Sequence, residues 1–201
     1  MKAWVAGLFN PGNPDKAIDD AIVLGLTTHQ NVVALSAATA VAAAVSTAFA
    51  DNSDLGQLVD AGLYGAREGY RRAWDLCSQK SAGASVEKRI VKAVGIGLKY
   101  AHDFDKLVNE MSSIVGTGLS ANEAVPAAFG FAVAAKGNLM DAVYMGVNAG
   151  DDCDTVSGMA GAMCGAIRGP VGVPDGTLEF LSKVNEMDIE GLAKRFYAQR
   201  A

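Results

Sequence analysis

The sequence predicts an all-α fold, and three observations carry that prediction. Apolar residues recur at threes and fours along most of the 201 residues, as one face of a helix requires. Asn, Ser and Asp stand just ahead of those runs, where helix N-caps belong. No convincing alternation of apolar and polar residues, the mark of a strand, interrupts them.

Taken in order, Asn13-Pro14 puts a capping side chain before a proline at the first helical position and opens a helix through about Leu26. Asn31 caps an Ala-rich helix that Asp51-Asn52-Ser53 ends. Leu55, Leu58, Val59, Gly62, Ala66, Tyr70, Ala73 and Trp74 form one apolar face of a long helix. Ser78 to Ser85 reads as a loop. Val86, Ile90, Val91, Val94 and Leu98 repeat the helical spacing, and a short helix follows near Phe104 to Ile114. Ser120-Ala-Asn-Glu123 has the form of a capping box before an apolar run. Asn138 caps Leu139 to Val147, and a helix from Thr155 to Ile167 stops at Gly169-Pro170. Pro174 and Asp188 open two amphipathic helices near the end.

Length and composition set bounds. A chain of 201 residues, half of them hydrophobic, suits one domain with a sizeable core. Aromatic residues are few and glycines number 23, so helices must pack backbone to backbone. A net charge of −5 excludes a broad nucleic-acid footprint, which needs clustered Lys and Arg. Three cysteines without CxxC spacing argue against a disulfide framework or zinc knuckle and for a reducing cytoplasm. No basic stretch followed by an apolar one marks a signal peptide at the N-terminus. Gln30 to Ala50 carries no charge and is long enough to span a bilayer, but nine of its residues are Ala and Ser36, Thr39, Ser46 and Thr47 interrupt it. It reads as a centrally buried helix of a protein that does not enter the membrane.

NAGDDCDTVSG, residues 148–158, concentrates charge where an apolar helix begins. Asp152 and Asp154 are two apart, so extended backbone would point both side chains the same way, and Thr155 adds a hydroxyl. Hard oxygen donors of this kind suit Mg²⁺, Mn²⁺ or Ca²⁺. One aspartate would suffice to cap the helix and complement its dipole; three exceed that need. An EF-hand begun at Asp152 would require Glu at its twelfth position, where Met163 stands. DCDTV also matches a D-x-D-x-[TV] phosphatase nucleophile motif, but that motif ends an early strand of a parallel sheet, and here it comes late among helices. Beyond it, Ser157, Gly161 and Gly165 line one small-residue stripe and Gly158, Ala162 and Ala166 the next. The pattern predicts a helix gripped closely on several sides.

NAGDDCDTVSGMAGAMCGAIRG resembles the C-terminal signature of the ADP-ribosylglycohydrolases, approximately N-x-G-G-D-T-D-T followed by a small-residue helix. VGTGLSANEAVPAAFG is similar to the family's G-x-G…E-[SA]-V-P-A-A-L segment, and GLFNPGNPDKAIDDAIVLGLTTH to its G-L-x-x-P-G-x-P…L-T-H segment. VPDGTLEFLSKVNEMDIEGLAKRF looks like its closing helices, so almost the whole chain finds a counterpart in order.

The resemblance implies a compact orthogonal all-α domain whose central cleft holds two Mg²⁺, sometimes Mn²⁺. Its members hydrolyse the N- or O-glycosidic bond joining ADP-ribose to an acceptor. On the matching positions, Asp152, Asp154 and Thr155 would ligate metal, and Gly116, Thr117 and Gly118 would present backbone N–H groups to the substrate. His29 would lie beside the cleft, with Gly150 and Asp151 in the turn before the ligands. Glu123 is left out of this site because the capping box accounts for it.

Two substitutions depart from the family pattern: Asp151 stands where Gly is usual, and Cys153 where Thr is usual. The family's N-terminal G-x-x-x-G-D-A-x-G and T-D-D-[TS] segments have no counterpart, so the chain resembles an N-terminally truncated enzyme, its C-terminal two-thirds. The expected metal site is correspondingly incomplete, one weak Mg²⁺ site or none. Three functional readings follow: a hydrolase completed by another polypeptide, a relative that binds ADP-ribose without chemistry, or a structural or oligomeric fragment. A homodimer or a complementing N-terminal polypeptide would cover any apolar groove left open.

Overall fold

The structure is a computed structural model that describes residues 1–80 and 82–199. Among the described residues it consists of α-helices with no strand, and an isolated bridge between Asn31 and Gln79 is the extended pairing it shows. The helices are α1 (Trp4–Phe9), α2 (Pro14–Leu26), α3 (Val32–Ala48), α4 (Leu55–Ala73), α5 (Val86–Tyr100) and α6 (Phe104–Glu110). A π-helical turn (Met111–Val115) continues α6 and leads into α7 (Ala121–Ala134), α8 (Leu139–Asn148), α9 (Cys153–Arg168), α10 (Thr177–Val184) and α11 (Ile189–Ala198). The all-α expectation therefore holds.

The caps explain most of the boundaries. The side chains of Asn13, Asn31, Ser85, Asp103 and Asn138 each accept a backbone N–H in the first turn of the helix that follows. Asp54 and Gln57 form a reciprocal capping box at α4. Three boundaries and one cap differ from the sequence reading. α1 was not expected, and α9 starts at Cys153 instead of Thr155. α10 starts at Thr177, after a left-handed Gly176, and not at Pro174. The fourth difference is in the cap of α7, which starts after Ser120 as expected: Ser120 makes no side-chain capping bond, and the Glu123 carboxyl lies against Gly116 and Gly118.

α3 is the centre. It is apolar on all sides and packs against α1, α2, α4, α7 and α9. Three of the four hydroxyls that interrupt its sequence, those of Ser36, Thr39 and Ser46, bond to neighbouring backbone. Ser36 Oγ donates to the Ala66 carbonyl at 2.7 Å and Thr39 Oγ1 to the Gly65 carbonyl at 2.8 Å, both on α4, while Ser46 donates to the Asn10 carbonyl. Burying them unpaired would cost a few kcal/mol each. The α3–α4 crossing is close enough that a Cβ on Gly65 or Gly69 would overlap Thr39. No helix among the described residues is long and apolar enough to cross a membrane.

α7 is the second buried helix, with every residue from Ala124 to Ala134 inside. Pro126 sits within it. Proline has no N–H for the carbonyl four residues earlier, here that of Asn122. Arg89 on α5 supplies the missing donor, its Nη1 lying 2.8 Å from that oxygen.

The two stripes of α9 have different fates. Ser157, Gly161 and Gly165 face α8: a Cβ on Gly161 would lie 2.9 Å from Val143 and one on Gly165 3.2 Å from Leu139. Gly158, Ala162 and Ala166 line an apolar groove of 670 Å³ with Trp4, Leu8 and Phe49, and Gly161 and Gly165 reach its edge. The helix is gripped on one side and open on another, so the expectation of tight packing all round is half met. α10 and α11 bury no residue, and Phe196 of α11 rests on Phe9 with ring centroids 3.9 Å apart.

Candidate functional site

The site is assembled where the start of α9 meets the loop after the π-helical turn. That turn closes with the Gly116 N–H on the Met111 carbonyl at 3.0 Å, and Gly116 then takes φ +88°. Thr117, which is buried, accepts the Asp152 N–H on its carbonyl at 3.1 Å. The loop is thereby tied to the first residue before α9. Gly118 has no room for a side chain, since a Cβ there would stand 2.9 Å from Asp151 Oδ2 and 2.9 Å from Glu123 Oε2.

On the α9 side, Gly150 and Asp151 both take left-handed backbone, φ +76° and +55°. Glycine adopts it freely and aspartate more readily than most residues. The double turn sets Asp152 at the N-cap of α9. Its carboxylate makes no capping bond. The charge concentrated there is thus not explained by capping at Asp152, the plainest alternative to a ligand-binding role.

Two cavities border these residues. The first, of 190 Å³, is lined by His29 from the α2–α3 loop, Leu119, Asp152 and Thr155 over a floor of α3 residues that includes Ala37 and Val41. Met1 also lines it; burial lowers the proton affinity of its α-amino group and the nearby Asp152 partly opposes that shift. The His29 ring holds Nδ1 2.8 Å from Thr28 Oγ1. The second cavity, of 450 Å³, is lined by Gly116, Thr117 and Asp151 with Arg89, Ser112 and Glu123.

The predicted residues therefore fall into four groups. His29, Asp152 and Thr155 share the first cavity, and Gly116, Thr117 and Asp151 share the second. Gly118 packs between Asp151 and Glu123. Asp154 and Gly150 line neither cavity, and both are exposed. The reason at Asp154 is helical phase. α9 already begins at Cys153, so a residue two beyond Asp152 is rotated about 200° around the axis, whereas Thr155, at about 300°, returns to the same side. The alternation of extended backbone does not apply.

Arg89, Ser112 and Leu119 were not singled out from the sequence, and Glu123 was set aside there as a capping residue. A signal for the first existed: Pro126 leaves the Asn122 carbonyl in need of a donor, but nothing local identifies Arg89, 33 residues away, as its source.

Among the described residues no three His, Cys, Asp or Glu side chains cluster tightly enough to make a metal site. Asp152 and Thr155 are hard oxygen donors and fit Mg²⁺ in kind. In number they fall short of the six ligands Mg²⁺ prefers.

The ADP-ribosylglycohydrolase family model matches residues 1–201. An uncharacterized protein of Escherichia coli K12, YegU, is 28% identical over 179 residues, which is 89% of this chain and 52% of that protein. The chain spans about half the length of the curated relative it matches.

Proposed function

Because the chain belongs to the ADP-ribosylglycohydrolase family, we propose that it is the C-terminal part of a Mg²⁺-dependent hydrolase acting on the glycosidic bond between ADP-ribose and an acceptor. The observation that carries this reading is the convergence of Asp152, Thr155 and His29, from elements far apart in sequence, on one cavity. An N-cap carboxylate that does not cap its helix is free to accept from a ligand.

Electrostatics supports a cation here. Asp151, Asp152 and Asp154 crowd one helix start, and the pyrophosphate of ADP-ribose would add further negative charge beside them. The helix dipole, worth about half a charge, offsets only part of this repulsion. Asp152 and Thr155 would hold a Mg²⁺ or Mn²⁺ ion, and Asp154, on the other side of α9, would join them only if the first turn of that helix unwound on binding. Bound there, such an ion would orient ribose hydroxyls and polarise a water. The chain's own part is positional. The Gly116–Gly118 loop, which borders the neighbouring cavity, would bring backbone close to the substrate, His29 would border the reacting sugar, and the α3 floor would close one side of it.

The donor set on this chain is incomplete, so the remaining ligands would come from a complementing N-terminal polypeptide. The apolar groove along Gly158, Ala162 and Ala166 is the surface such a polypeptide, or a second copy, would cover. The same incompleteness favours one other reading, a chain that binds ADP-ribose without hydrolysing it.

Calorimetric titration with Mg²⁺ and then ADP-ribose tests the proposal. The wild-type chain should bind both, and Asp154→Asn should lose Mg²⁺. Unchanged Mg²⁺ affinity in that variant would remove Asp154 and the three-ligand set. Binding of ADP-ribose with no release of ADP-ribose from an ADP-ribosylated peptide would select the binding module.

A further inference from the structure

We propose that Arg89 and Glu123 are a positioning pair that holds the Gly116–Gly118 loop against the start of α9 and so fixes where Asp152 stands. The inference rests on the cavity assigned above to ADP-ribose, but its contacts do not depend on which ligand that cavity takes.

The chain of contacts begins at Pro126. Its missing N–H leaves the Asn122 carbonyl open in the first turn of α7. Arg89 Nη1 donates to that oxygen at 2.8 Å and lies 3.5 Å from Glu123 Oε1. One guanidinium thus ties the start of α7 to α5 and orients the carboxylate next to the carbonyl it bonds. An arginine fork can serve both partners at once, which a lysine point charge does less well.

The placement of Glu123 matters because of what it displaces. Its carboxyl group occupies the space into which a side chain on Gly116 would project, and Oε2 lies beside Gly118. Asp151 Oδ2 closes Gly118 from the opposite side. Gly116 holds φ +88° in that position, and the next carbonyl, that of Thr117, takes the Asp152 N–H. A shift of Glu123 therefore passes through two glycines and one hydrogen bond to Asp152.

An ordinary surface ion pair would contribute little, because water screens it. This pair differs in being about two-thirds buried, with side chains 29% and 32% exposed, and in satisfying a carbonyl that Pro126 leaves without its helical donor. An unpaired carbonyl and a carboxylate freed from its partner would both favour rearrangement of the loop.

The test compares the wild-type chain with Arg89→Met, Glu123→Gln and Arg89→Lys by amide hydrogen exchange, read at Asp152 and, as a core reference, at Ala42 in α3. In Arg89→Met and Glu123→Gln, exchange at Asp152 should quicken about tenfold while Ala42 is unchanged. Arg89→Lys, which keeps a donor for the Asn122 carbonyl, should fall between. If Asp152 exchanges at the wild-type rate in both variants, or quickens only in step with Ala42, the positioning role is wrong. ADP-ribose titration of the same proteins separates the two ideas. A wild-type chain that fails to bind counts against the hydrolase reading alone, and the exchange rates decide the positioning role in either case.

Discussion

Asp152 occupies a helix N-cap without using its side chain there. Removal of a working cap costs about 1 kcal/mol, so Asp152→Asn should leave the melting temperature almost where it was. Its effect should fall on ligands, with Mg²⁺ affinity reduced by about tenfold or more, as loss of a carboxylate donor does. A calorimetric titration beside a thermal melt reads both quantities. A variant that melts much earlier with ligand affinity intact would return Asp152 to a structural role. Cys164 makes a second prediction at this scale. Burial pushes its thiol up to about 12 from 9.0, so it should resist iodoacetamide at pH 8 until the chain unfolds. The raised value also sets a sign. The folded state keeps this proton where the unfolded state loses it, so the contribution to stability is complete below pH 9.0 and declines as pH rises toward 12. Mass spectrometry of labelled peptides and melts at alkaline pH check the two halves.

Individual helices show how much of the structure was legible in the sequence. Asn13, Asn31 and Asn138 marked three helix starts correctly because a cap is a local contract between a side chain and the next turn. Ser120 and Glu123 had the same appearance and did not form it, because Glu123 finds Arg89 and two glycines, partners that no local pattern reveals. The candidate site divides along the same line: Asp152 and Thr155 share a cavity, whereas the extended backbone that would have aligned Asp154 with Asp152 is helix from Cys153 onward. Arg89 stayed hidden because its reason lies in Pro126, on another helix. The close crossing of α3 and α4 gives a prediction for an element. Gly65→Ala would drive a methyl group into Thr39 and Ala43, an overpacking that costs about 1–3 kcal/mol. Gly158→Ala, with nothing near its missing Cβ, should instead stabilise α9 by up to about 1 kcal/mol. Denaturant titration of the two variants should show opposite shifts in midpoint, and shifts in the same direction would mean the crossing is less tight than the geometry implies.

For the molecule as a whole, burial is uneven. α3 and α7 are enclosed, whereas α10 and α11 bury no residue and α11 meets the body where Phe196 lies on Phe9. Deleting residues 170–201 should therefore lower the melting temperature by less than about 4 °C, roughly 1 kcal/mol in a domain of this size. A chain that fails to fold without them would show that the C-terminal helices contribute more than their contacts indicate.

The hydroxyls of α3 have one more effect. An alanine-rich rod has almost no shape, and by bulk alone it could sit at several azimuths in its socket. Ser36, Thr39 and Ser46 act as pins, each seated in a separate backbone oxygen of a neighbour, and a turn of the rod would unseat all three together. The wall that this helix offers to His29 and Asp152 therefore owes its alignment to three oxygen atoms and little to its many methyl groups.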